Sequence, residues 1–167
     1  MIKYRILFVI FFCCLLLYIC FKNTGNDAKN MLGFRSYPDE VQKAVRKDSD
    51  LKKIAPEDKS VTSILISNFI LYTILFSFFG IVSKQYLAFN GFLDTFVFFL
   101  INGEILNAFD LLVIDLLWWR NTKRIRFSIL PDKEAYQDPK KHIDSFLRGI
   151  VVFIFVALAT ALMVGLV

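Results

Sequence analysis

Much familiar chemistry is missing from this chain of 167 residues. Cysteine is scarce: Cys13, Cys14 and Cys20 all fall in one short apolar stretch, so neither a disulfide framework nor a zinc-binding spacing can be built from them. If that stretch is helical, Cys13 and Cys20 stand about 10 Å apart along the axis, beyond disulfide reach. No Gly-rich phosphate loop, no Gly-x-Ser-x-Gly elbow and no internal repeat occurs. These absences exclude the common nucleotide-binding, α/β-hydrolase and solenoid classes. There is one histidine, His142. No Lys or Arg lies in the middle of any long apolar run.

What is abundant is hydrophobicity. Apolar residues make up 56% of the chain and the mean hydropathy is +0.54. Four blocks are long enough to cross a hydrocarbon layer of about 30 Å as helices: residues 6–21, 61–82, 96–118 and 146–167. The expected fold is all-α, a single transmembrane domain over 1–167: a polytopic bundle of four helices with two polar loops, 22–60 and 120–145. The first block follows a basic start, but no small-residue cleavage site comes after it, so it is read as a retained helix. Trp118, Trp119 and Arg120 mark a membrane–water boundary. Counting back from them starts the third span near Phe96 and leaves 83–95 as a connecting loop.

The third block is unusual for a span. It carries Glu104, Asp110 and Asp115 with Asn102 and Asn107 among them. Each carboxylate placed in hydrocarbon costs on the order of 2.5–3.5 kcal/mol, so three require a purpose. At about 100° per residue, Glu104, Asn107 and Asp115 share a stripe, and Asp110 lies beside Asn107. Glu104 is the deepest of the three and should stay protonated at neutral pH. Asp115, near the boundary, can meet Arg120, Lys123 or Arg148. In the second span, Asn68 and Tyr72 are the candidate partners for the acids. In the last, Ala157, Ala161 and Gly165 recur at i+4, a small-residue seam for close helix approach with Val164 off it.

The loops hold most of the charge. Together with Arg148 at their edge they carry 17 of the 20 Lys/Arg residues. An excess of that kind places both loops in the cytoplasm of a cell membrane crossed several times. In the first loop, Ser36-Tyr-Pro-Asp39 has the form of a helix start with Ser36 as cap. It leads into an apolar stripe of Val41, Ala44, Val45, Leu51 and Ile54 that could rest on the membrane surface. In the second, residues 124–129 alternate basic and apolar like an extended segment.

Two blocks resemble a group of small bacterial four-helix integral membrane proteins with no assigned activity. They are Tyr37-Pro-Asp-Glu-Val-Gln42, and Asn107-Ala-Phe-Asp-Leu-Leu-Val-Ile-Asp115 leading through Ile129-Leu-Pro131 and His142 to Phe146-Leu-Arg-Gly149. The resemblance covers about half the chain. It implies a bacterial cytoplasmic membrane protein and no chemistry.

Three functions fit the residues. The first is an accessory, assembly or interaction protein with an acidic intramembrane face, the reading the sequence favours, which would be non-enzymatic. The second is a permeation component in which Glu104, Asp110 and Asp115 bind a proton, a metal cation or a cationic substrate, built as a homo-oligomer or part of a larger membrane complex. The third is an interfacial lipid-modifying enzyme using Asp110, Asp115 and His142 as acid/base groups. In that reading Arg120, Lys123, Arg124 and Arg126 hold the lipid headgroup. The net charge of +5, concentrated in the loops, points to anionic lipid headgroups as partners and not to nucleic acid. No cofactor is indicated.

Overall fold

The structure, a computed structural model, describes residues 2–166. It is 79% helical, with no strand among those residues. Helix α1 spans Ile2–Lys22, α2 Asp39–Lys47, α3 Val61–Val82, α4 Gly91–Phe109 and α5 Lys140–Leu166. From Asp110 to Trp118 the chain that leaves α4 winds as a π-helix. A 3-10 turn, Trp119–Asn121, ends it. Four helical stretches are long and apolar enough to cross a membrane: Ile2–Lys22, Val61–Val82, Gly91–Asn121 and Glu134–Leu166. This is a multi-pass membrane protein.

Three of the expected bounds shift outward, two of them where Arg5 and Asp94 meet. α1 begins four residues early. Arg5 is held there by a forked pair with Asp94, Nη1–Oδ1 2.8 Å and Nη2–Oδ2 2.6 Å, and it also donates from Nε to the Leu87 carbonyl. The same pair lets α4 begin at Gly91, before Phe96. The connection ahead of it contains a helical turn, Lys84–Leu87, and Ala88 in the left-handed region at φ 47°. α5 begins six residues early, and this puts His142 on its first turn.

The chain packs as two compact units. The first comprises residues 1–13, 59–108 and 146–167. Its core is a ring cluster in which Phe8 meets Phe98 at 5.4 Å, Phe12 meets Phe76 at 5.1 Å and Phe76 stacks on Phe153 at 6.2 Å. Glycine permits close approach: a Cβ on Gly103 would stand 2.5 Å from the Phe153 ring. At Gly149 the Asn107 amide occupies the place of a side chain and donates to the Phe146 carbonyl at 3.1 Å. Ala157 and Ala161 are fully buried, but Gly165 faces open space and Val164 is buried at 1% exposure beside Gly80. The seam therefore continues from Ala161 to Val164, one helical step of three. Asn68 is exposed, and Tyr72 packs on Phe153 at 4.9 Å.

The second unit comprises 14–58 and 109–145, and so contains both polar loops. They fold onto each other. Phe34, Tyr37, Val41 and Val45 of the first loop and Ile125, Phe127 and Tyr136 of the second are all at 1% exposure or less. The apolar stripe of α2 is thus covered by protein rather than resting on lipid, although Ile54 stays exposed. The helix starts at Asp39 with Pro38 at its cap position, so Ser36 does not cap it. The alternation at 124–129 is real in burial: Ile125 and Phe127 point inward, while the backbone turns instead of forming a strand. Tyr37 donates to the Ile125 carbonyl at 2.7 Å, and Tyr136 donates to the Leu130 carbonyl at 2.8 Å while accepting from the Phe127 N–H at 3.0 Å. These phenols satisfy backbone groups that no regular ladder reaches.

Candidate functional site

Within the second unit lies a cavity of about 290 Å³. Two segments wall it, residues 16–20 near the end of α1 and residues 110–119, the π-helix with the first residue of the 3-10 turn. Asn30, Ser36 and Tyr37 of the first loop close another side, and Lys141, His142 and Ser145 of α5 complete the lining.

The π winding is what brings the acids together. In an α-helix, residues five apart point about 140° away from each other. In a helix bonded i→i+5 each residue advances about 82°, so five residues return to within about 50°. Asp110 and Asp115, with Ile114 between them on the same side, therefore face one cavity. Trp118 and Trp119, the only tryptophans of the chain, follow on that face two turns on.

His142 is the best-positioned group. Its side chain is 3% exposed, its Nδ1 lies 2.9 Å from Asp115 Oδ2, and Trp119 packs edge-on against its ring at 4.8 Å. A carboxylate can only accept, so Nδ1 donates to it, and in the neutral imidazole Nε2 is then the acceptor. Nε2 is buried and has no hydrogen-bond partner among the described residues. This Asp–His pair is the arrangement that orients an imidazole as a general base. Asp110 lies in the same cavity, and no Lys or Arg among the described residues pairs with it. Lys141 is engaged elsewhere, 2.7 Å from Asp39. That ammonium holds the Asp39 carboxyl below the usual carboxylate range.

The remaining candidates are distributed differently. Glu104 belongs to the first unit, hydrogen-bonded by Asn107, with Oε1 buried and unpartnered. Among the described residues no three of His, Cys, Asp and Glu converge to hold a metal ion. Of the basic residues, Arg124 is used by the chain itself. Its guanidinium lies 3.9 Å over the Phe21 ring and donates to the Phe21 and Thr24 carbonyls, closing the end of α1. Arg126 donates to the Pro131 carbonyl at 3.0 Å and, with Lys123, lines a shallow hollow. Arg120 has its Nε buried and accepts from Gln137 through its carbonyl. Asp115 takes His142 as its partner, not Arg120 or Lys123.

Sequence reasoning missed Ser36, Tyr37 and Lys141 at the cavity. The only signal for them was the proximity of Lys141 to His142 and the polar start of the Ser36–Asp39 segment. Searches against protein-family models, curated proteins and solved structures return no match.

Proposed function

We propose that this chain is a multi-pass membrane protein whose cavity takes the polar head of a membrane amphiphile and performs general-base chemistry on it. The observation that supports this is the Asp115–His142 pair with its buried, unpartnered Nε2. A buried acceptor left without a donor costs about 1–3 kcal/mol, a cost that a substrate hydroxyl or a nucleophilic water at Nε2 relieves. His142 takes the proton from that group, and Asp115 stabilises the imidazolium that forms. The lining suits an amphiphile: Leu16, Ile19 and Ile114 are apolar, whereas Asn30, Ser36 and the acids are polar.

The Lys/Arg excess supports a cytoplasmic placement of both loops, and the resemblance noted above supports a bacterial cell membrane. This reading favours the interfacial enzyme over an accessory protein.

The test is turnover in vesicles. Purified protein reconstituted with a bacterial total-lipid extract is followed by mass spectrometry of the lipids. Wild type should deplete at least one head-group class, and His142→Gln should abolish that while the protein stays folded. Asp115→Asn, which turns the acceptor into an amide, should lower the rate by about 10²-fold or more. Turnover that survives His142→Gln would refute the assignment, and so would the absence of any turnover by wild type.

A further inference from the structure

The charge balance of the cavity selects among amphiphiles. Two carboxyl groups, Asp110 and Asp115, face it. His142 answers one of them, Asp115, by its Nδ1–Oδ2 contact of 2.9 Å. The only cation in the lining, Lys141, is matched by Asp39 at 2.7 Å. Asp110 has no ion pair with a Lys or Arg among the described residues, in a site with apolar walls where a carboxylate without a cation is costly. In the same lining, the His142 Nε2 has no hydrogen-bond partner among the described residues, on a side chain 3% exposed. A carboxyl group with no cation and an imidazole nitrogen with no partner, in one cavity lining, suit a ligand that is a donor and positively charged.

We infer that the head group this cavity takes is an ammonium, held by the Asp110 carboxylate, on an amphiphile whose chain lies along Leu16, Ile19 and Ile114. The inference rests on the site reading above, but it concerns binding and stands apart from the chemistry. A primary ammonium supplies three N–H donors. One can meet Asp110 and another His142 Nε2, which leaves the base beside the head it is to act on. An anionic head would meet two carboxyl groups with no free cation to offset them.

The two tryptophans report occupancy without a label on the protein, since both line the cavity and no other tryptophan exists. Wild type in nonionic maltoside micelles is titrated with dodecylammonium bearing a nitroxide a few carbons below its head, which quenches indole fluorescence on contact. The carboxylate and the alcohol of the same chain, labelled alike, are run beside it. The ammonium should quench saturably and at concentrations at least about tenfold lower than the other two. Asp110→Asn should remove that tenfold advantage, and Lys141→Gln should keep it.

Equal quenching by ammonium and alcohol in wild type overturns the inference without recourse to a variant, so a poorly folded Asp110→Asn protein would not obscure the answer. Tighter binding of the carboxylate overturns it too, and makes Lys141 the head-group ligand. Ammonium binding unchanged in a folded Asp110→Asn protein does the same. The two readings fail separately. Wild type that binds ammonium but turns over no lipid removes the chemistry and leaves the cation site. Turnover of a lipid with an uncharged or anionic head, unaffected by Asp110→Asn, removes the cation site and leaves the chemistry.

Discussion

The two units of this chain solve the burial problem by different means. In the first, every long segment is a helix whose backbone satisfies itself, so side chains are free to pack: phenylalanine rings interlock, and Gly103, Gly149, Ala157 and Ala161 let neighbours approach. In the second, much of the backbone is turn and short helix, and its carbonyls and N–H groups must be found partners one at a time. Tyr37, Tyr136, Arg124, Gln42 and Gln137 do this with side-chain hydrogen bonds. Polar side chains that serve a backbone also create a setting in which further polar groups are tolerated. The Asp115–His142 pair belongs to the second unit, and the difference in construction explains why. An imidazole and two carboxyl groups can be kept without external cations only where donors and acceptors are already dense.

The largest effect expected from breaking this contrast is at Gly103. Gly103→Val should destabilise the first unit by about 3 kcal/mol, because the new Cβ meets the rigid Phe153 ring at 2.5 Å. Hydrogen exchange followed by mass spectrometry separates the units. Peptides from 61–82 and 150–166 should lose protection more than those from 31–47. Uniform loss across the chain would mean the two units unfold as one.

Next in size is the seam. Ala161→Leu, at a fully buried position, should cost about 2 kcal/mol in thermal unfolding, whereas Gly165→Leu, into open space, should be close to neutral. Equal shifts at the two sites would show that the Ala157–Ala161–Val164 face is not the packed one.

The second unit should respond to loss of a hydroxyl rather than to added bulk. Tyr37→Phe keeps the edge-on ring contact with Trp119 at 4.8 Å but leaves the Ile125 carbonyl without its donor, at a cost of about 1–1.5 kcal/mol. The same variant changes the pH dependence. Burial, and then the neighbouring Tyr136, push the Tyr37 phenol well above its ordinary value. The folded state therefore holds that proton more tightly than the unfolded chain does. Its contribution is complete below about pH 10 and lost as pH rises beyond that. Wild type should lose stability on going above about pH 10, and Tyr37→Phe should show a shallower loss there. Identical slopes would place the sensitivity on other groups.

How far the sequence carried these conclusions depended on whether winding or packing was at stake. The four spans were legible because hydrocarbon thickness fixes their length, and Val61–Val82 was placed to the residue. Asp110, Asp115 and His142 stood out as candidates because ionisable groups are costly near a membrane. What joins them was hidden. A fixed 100° per residue sets Asp110 and Asp115 at the two ends of a polar arc about 140° wide, and no residue between Leu111 and Ile114 announces i→i+5 bonding. The loop core was hidden for another reason. Tyr37 and Tyr136 lie about a hundred residues apart, and a charged loop gives little periodic signal for contacts at that separation. Val164 was misplaced because a strict i+4 step overlooks the i+3 neighbour on the same helical face.

The smallest stability effect, and the one that links the second unit's construction to its site, is at Asp39. Its ion pair with Lys141 is partly exposed, the acid side chain at 73%, so Asp39→Asn should cost less than about 1 kcal/mol, and less still at high salt. The consequence for binding is larger than for folding. Lys141 lines the cavity, and without Asp39 its ammonium is no longer matched. The nearest unpaired carboxyl group in the lining is Asp110, so the freed cation should turn toward it and compete with any positively charged ligand. In the tryptophan-quenching titration, Asp39→Asn should therefore weaken dodecylammonium several-fold, and the double variant Asp39→Asn/Lys141→Gln should restore it. Added salt should narrow the gap by screening the freed charge. If the single variant binds ammonium as tightly as wild type at low salt, Lys141 does not reach the cavity when released, and the pair is a surface contact with no influence on the site.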